Sequence, residues 1–118
     1  MAGLVDTEAS RLLTSSLVGG TKTIAVTSTS PTSSAAGTEF ATRQGVTFGA
    51  VTAVGGVQTT SNTGAVTFTN MTAGTWVGIN VYEGASERRW FGALSASKTT
   101  QSGDSLSFAT SSVAIGLS

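Results

Sequence analysis

Glu83 and Glu87, in the stretch YEGASERRWFG, are the side chains whose type and spacing come nearest to chemistry in this sequence. Two carboxylates flanking a glycosidic bond are what most glycoside hydrolysis requires, one of them protonated to act as general acid. Arg88 and Arg89 stand beside this pair, and neighbouring positive charge holds both carboxylates ionised, so a general acid is missing. The same stretch also reads as the solvated tip of a hairpin, or as a contact surface, because Arg and Trp are enriched at interface hot spots.

The other candidates for chemistry are weaker. Ser95, Ser97 and Lys98 can be written as a serine–lysine dyad, but serine is too abundant here for that spacing to be informative. GGTKT lacks the glycine spacing and Gly-Lys-Ser/Thr core of a phosphate loop and is better read as a helix stop. Asp6, Glu8 and Asp104 are too far apart in sequence to outline a calcium loop. Arg88, Arg89 and Trp90 can neutralise and stack on nucleic acid, yet two arginines beside two glutamates make a weak funnel. Asn70-Met71-Thr72 fits the glycosylation pattern, which counts only in a secreted chain. Histidine and cysteine are absent, which removes the commonest general base, the commonest metal ligand, thiolates and disulfides. No catalytic, cofactor or metal site is assigned, no cofactor is expected, and the chain is read as non-enzymatic.

The elements that would position these residues are mostly strands. With 118 residues, the chain suffices for one domain with one core. Six basic residues balance six acidic ones and only 10% of residues are charged, so no general field draws in nucleic acid or an anionic membrane. Neither is expected as a partner. The N-terminal residues carry Asp6 and Glu8 where a secretory signal carries positive charge, so no signal is expected there. Nor does any apolar run approach the roughly 20 residues of a membrane span.

Val5, Ala9, Leu12, Leu13 and Leu17 fall at helical spacing, which predicts one short helix over residues 4–18, capped by Asp6 or Thr7 and stopped by Gly19-Gly20. Its apolar stripe either covers its own domain's sheet or docks on a neighbouring subunit. Residues 23–29 read as a strand, and residues 30–38, with the only proline, as a loop or arm. Within the main β region, 39–118, β-type segments recur at 43–54, 65–69, 75–82, 88–94, 105–109 and 112–117, divided by Gly, Asn and Ser. Such spacing predicts an all-β, single-domain β-sandwich, jelly-roll-like, with one N-terminal helix. In TWVGINVY, Val77, Ile79 and Val81 alternate onto the expected core side, leaving Trp76, Asn80 and Tyr82 on an amphipathic second face.

Eight segments in order carry a resemblance: the helix ending LVGG, then TIAVTSTSPT, AGTEF, ATRQGVTFGA, SNTGAVTF, TWVGINVYE, WFGALSASKT and SGDSLSFA. The chain resembles a family of small tailed-bacteriophage structural proteins, described as tail-fibre-like or as capsid decoration proteins. It departs from that pattern in lacking a Gly-rich insert between Glu39 and Phe40, in its short tip, and in lacking a large ring in TIAVTST. The resemblance implies a virion component with no catalytic residues to carry over. The leading expectation is a decoration, or cement, protein on the capsid exterior, binding the major capsid protein and copies of itself as a homo-trimer. Its mechanism would be many repeated contacts that stabilise the assembled shell by mass action. The expected subunit or shell contacts are Trp76, Tyr82, Arg88, Arg89, Trp90, Leu13 and Leu17. The alternative is a tail-fibre or baseplate component that binds a host receptor or glycan, with Trp76, Tyr82 and Trp90 as stacking platforms.

Overall fold

Nine strands and one helix make up the described residues, 4–19, 22–84 and 86–117, of a computed structural model. The helix α1 (Asp6–Leu17) comes first, followed by β1 (Lys22–Thr27), β2 (Gln44–Val46), β3 (Thr52–Val54), β4 (Val57–Ser61), β5 (Val66–Phe68), β6 (Gly74–Glu83), β7 (Glu87–Thr100), β8 (Leu106–Phe108) and β9 (Ala114–Leu117). They form a four-stranded sheet β2-β1-β6-β7, a three-stranded sheet β3-β4-β9 and a β5-β8 pair. The all-β class with one N-terminal helix is the observed one. Gly20 of the expected helix stop and Ala85 of the expected tip lie outside the described residues.

The chain forms two compact units, each assembled from separated segments: residues 1–21, 46–65 and 108–118 in the first, 22–45 and 66–107 in the second. In the first unit, Ala9, Leu13 and Leu17 lie on one face of α1 and are fully buried, with the helix packed on β4 and β9. Three residues of the apolar stripe are therefore spent within the chain itself, the first of its two expected uses, while Leu12 is half-buried and Val5 exposed. No side chain caps the helix, contrary to the expectation for Asp6 or Thr7. Val5 is the cap residue, and its carbonyl accepts from the Glu8 and Ala9 amides at 3.0 and 2.9 Å. Asp6 and Glu8 instead place negative charge at the positive end of the helix dipole. Gly19, at φ +86°, turns the chain out of the helix as expected.

Asn62 ties this unit together. Its side-chain amide donates to the carbonyls of Gly64 (2.8 Å) and Ala109 (3.0 Å), and its Oδ1 accepts from the Val113 amide at 2.9 Å. A buried Asn with each polar atom engaged fixes the approach of 108–113 to the Asn62 turn more tightly than apolar contact would.

Two strand expectations need correction here. The expected strand 43–54 is broken into β2 and β3, because Phe48 makes only isolated bridges, to Val18 and Asn62, and the Gly49 amide turns to the Ser61 carbonyl. β4 was not expected. Its sequence, VQTTS, has no alternating apolar residues, and the ladder to β9, with Thr60 opposite Ile115, makes it a strand.

In the second unit, β6 pairs with β1 on one side and β7 on the other. Ile24, Val26 and Val81 are buried on one face, and Ala25, Asn80 and Tyr82 on the other, so the central strands are covered on both sides.

Candidate functional site

The second face of β6 is the better buried one, which reverses the expected orientation of TWVGINVY. Trp76, Gly78, Asn80 and Tyr82 are buried, whereas Val77 and Ile79 are only half-buried and Val81 alone of its set is inside. The reason is the segment 28–43, which contains the expected loop or arm at 30–38 and lies over this face as a strap. Pro31 approaches so closely that a Cβ on Gly78 would sit 2.5 Å from the Pro31 Cδ, so only glycine fits there.

The strap is pinned by a polar cluster around Glu39. Glu39 Oε2 accepts from the Tyr82 hydroxyl at 2.6 Å and from Asn80 Nδ2 at 2.7 Å, while Oε1 accepts from Arg43 at 3.1 Å. Asn80 Nδ2 also donates to the Ala36 carbonyl at 2.8 Å, and Arg88 donates to Asn80 Oδ1 at 3.2 Å and to the Thr32 carbonyl at 2.7 Å. The Arg43 guanidinium lies 3.6 Å from the centre of the Tyr82 ring, a cation–π contact. Asn80 is fully buried, and its amide is satisfied on both ends.

This geometry sets the charge states. Burial pushes the Glu39 carboxyl up, but the hydrogen bonds from Tyr82, Asn80 and Arg43 and the Arg43 charge outweigh it and hold the group below its ordinary value. Burial and the adjacent Glu39 carboxylate raise the Tyr82 phenol. An ionised Glu39 that accepts three hydrogen bonds acts as an anchor. It has no proton to donate at neutral pH and is not poised as a general acid.

Beside the cluster, Trp76 Nε1 donates to Thr100 Oγ1 at 2.9 Å, which in turn donates to the Thr72 carbonyl at 2.7 Å. Phe40 stands edge-on to both Phe68 and Trp76. Glu39, Phe40, Ala41 and Arg43 line one open depression with Thr23 and Gly84. Thr27 Oγ1 and Thr23 Oγ1 are buried without a hydrogen-bond partner.

The hairpin YEGASERRWFG forms as expected between β6 and β7. Glu83 accepts from Lys22 at 3.1 Å and from Arg89 at 3.3 Å, and Arg89 also bridges to Glu87 at 2.7 Å. The Lys22 hydrogen bond and charge, with that of Arg89, hold Glu83 below the ordinary carboxylate value.

The residues expected at an interface divide sharply. Leu13, Leu17, Trp76 and Tyr82 are buried within the chain, so they offer no stacking platform and little surface to a partner. Arg88 is turned inward to Asn80, Arg89 is exposed at the tip, and Trp90 is half-buried. Sequence reasoning missed Glu39 and Arg43 as the centre of the cluster. Their signal was an opposite-charge pair four residues apart in a nearly uncharged stretch, following the loop that carries the only proline. Among the described residues, no group of three or more acidic side chains is placed to hold a metal ion.

The described residues define an all-β protein with one N-terminal helix, in which the Glu39 cluster braces one segment of the chain against another. Residues 19–116 match the family described as Podophage GP4 fiber I protein gp80, and the chain belongs to that family of tailed-phage virion structural proteins. The match takes in β1 to β8 and all but the last residue of β9, and leaves α1 outside it. No curated protein and no solved structure is significantly similar to the chain.

Proposed function

We propose that the protein is a structural subunit of a fibre on a tailed-phage particle, contributing a braced β scaffold and no catalysis. The family description, matched over residues 19–116, is the observation that carries this reading. The internal use of Glu39, Asn80, Tyr82 and Arg88 supports it, because these groups hold the strap against the sheet.

The decoration reading stays as the second. It is favoured by residues 44–82, which contain no charged side chain and would let many copies pack closely on a shell without self-repulsion. Quantitative mass spectrometry of purified particles separates the two. A copy number far below that of the major shell protein is expected of a fibre. A ratio within a few-fold of the shell protein would replace the fibre with a decoration protein, and absence from the particle would overturn both.

A further inference from the structure

β7 is the outer strand of the four-stranded sheet, and its 14 residues are laid against the 10 of β6, from Thr100 opposite Gly74 to Glu87 opposite Glu83. Native edge strands are usually guarded by charge, proline or bulges against pairing with another chain. Here the guards stand at the two ends. Arg88 and Arg89 precede an uncharged stretch, 90–97, and Lys98 follows it. The ladder shifts register between Val81 and Tyr82 and again between Trp76 and Gly78, so the longest unbroken run of β7 against β6 goes from Trp90, opposite Val81, to Ala93, opposite Gly78. In that central stretch Phe91 is 47% exposed.

Gly92 adds an independent observation. Its φ is not in the left-handed region, and a Cβ placed on it would meet nothing within 4 Å. The isolated chain therefore gives no steric reason for glycine, although glycine weakens a strand. A glycine inside a strand often marks a place where another backbone approaches.

We propose that β7 pairs antiparallel with β7 of a second copy about a two-fold axis at Gly92, joining two four-stranded sheets into one. A two-fold contact must be self-complementary, and the sequence around Gly92 meets that condition. Gly92 faces its own copy, Phe91 faces Ala93, and half-buried Trp90 faces half-buried Leu94 on the same side, where large side chains cover the paired glycines. Arg88 and Arg89 fall outside this five-residue core. A register centred on Ala93 would set Arg88 against Lys98, and one centred on Phe91 would set Arg88 against Leu94. The sheet's other edge, β2, has only three residues, too few to match β7 in a head-to-tail ring. This contact therefore gives a dimer in place of the expected trimer. It goes beyond the fibre reading and holds equally for a protein of the head.

Sedimentation velocity of the full chain over micromolar to several-hundred-micromolar concentration tests the pairing. The expected result is a species of twice the chain mass, lost in Gly92→Lys, which sets two like charges across the axis while its open Cβ position leaves far-UV circular dichroism and melting temperature unchanged. Because the chain lacks cysteine, single-cysteine variants report the register directly. Mild oxidation should link Gly92→Cys into a covalent dimer and leave Ser95→Cys unlinked. A wild-type monomer throughout the range, a trimer, a Gly92→Lys variant that still dimerises, or equal linking of both cysteine variants would each overturn the proposal. None of these results would alter the copy number on which the fibre reading is judged.

Discussion

Asn80 donates its side-chain N–H to Glu39 across 2.7 Å, joining residues 41 apart in the chain. Through that bond a strand and the strap above it share one buried polar contact, and the strap's position follows from it.

Replacing Glu39 should therefore loosen the strap. In Glu39→Gln the carboxamide keeps the shape, but it can accept through only one oxygen while Asn80, Tyr82 and Arg43 all present donors. A loss of about 1–3 kcal/mol in urea unfolding is expected, the usual cost of leaving a buried polar group unsatisfied. No change in midpoint would show that the cluster contributes nothing to stability.

The same site predicts two pH dependences. Glu39 has a folded value below its ordinary 4.5, so its contribution is present above that value and is lost as pH falls through the folded one. Tyr82 has a folded value raised above 10.0, so its contribution is complete below 10.0 and is lost as pH rises through the raised value. Tyr82 is the only tyrosine, and its ultraviolet titration is a clean reporter. The midpoint should lie above that of free tyrosine and should fall in Glu39→Gln; coincident titrations would contradict the assigned hydrogen bond.

Thr27→Val should raise stability by up to about 1 kcal/mol. The Thr27 hydroxyl is fully buried and has no partner, so an isosteric methyl removes a desolvated polar atom at no loss of contact. Thermal melting of the pair of proteins decides it, and a destabilised variant would reveal a partner for that hydroxyl.

Gly78→Ala and Gly92→Ala should differ although both glycines lie in strands. The first forces a methyl to 2.5 Å from Pro31 Cδ and should cost about 1–3 kcal/mol, whereas the second meets open space. Equal unfolding midpoints would mean that Pro31 does not press on Gly78.

The contrast between those glycines shows where the sequence was legible. Alternation in TWVGINVY revealed a strand with two unlike faces, and the spacing of Ala9, Leu13 and Leu17 revealed the helix and its buried stripe. Alternation has a period and no sign, however, and the β-branched character of Val77, Ile79 and Val81 does not decide which set is the better buried. Which face goes inside is decided by the strap, and residues 28–43 have no periodicity to announce that they will cover a sheet. Glu39 and Arg43 were illegible for the same reason. Their partners lie about 40 residues away on β6, and only the fold brings them together. The hairpin tip was readable because its glutamates and arginines interact over a few residues.

The interleaving of the two units bears on when the chain can fold during its synthesis. β4 completes its ladder only with β9, Gln58 pairing with Leu117, and α1 packs on both strands. A nascent chain that has exposed α1 and β4 at the ribosome still lacks the strand that closes their sheet. The first unit therefore matures late, after β9 has cleared the exit tunnel. Such distant pairings fold slowly compared with local ones. Newly made chains would pass through a window in which the buried face of α1 is uncovered.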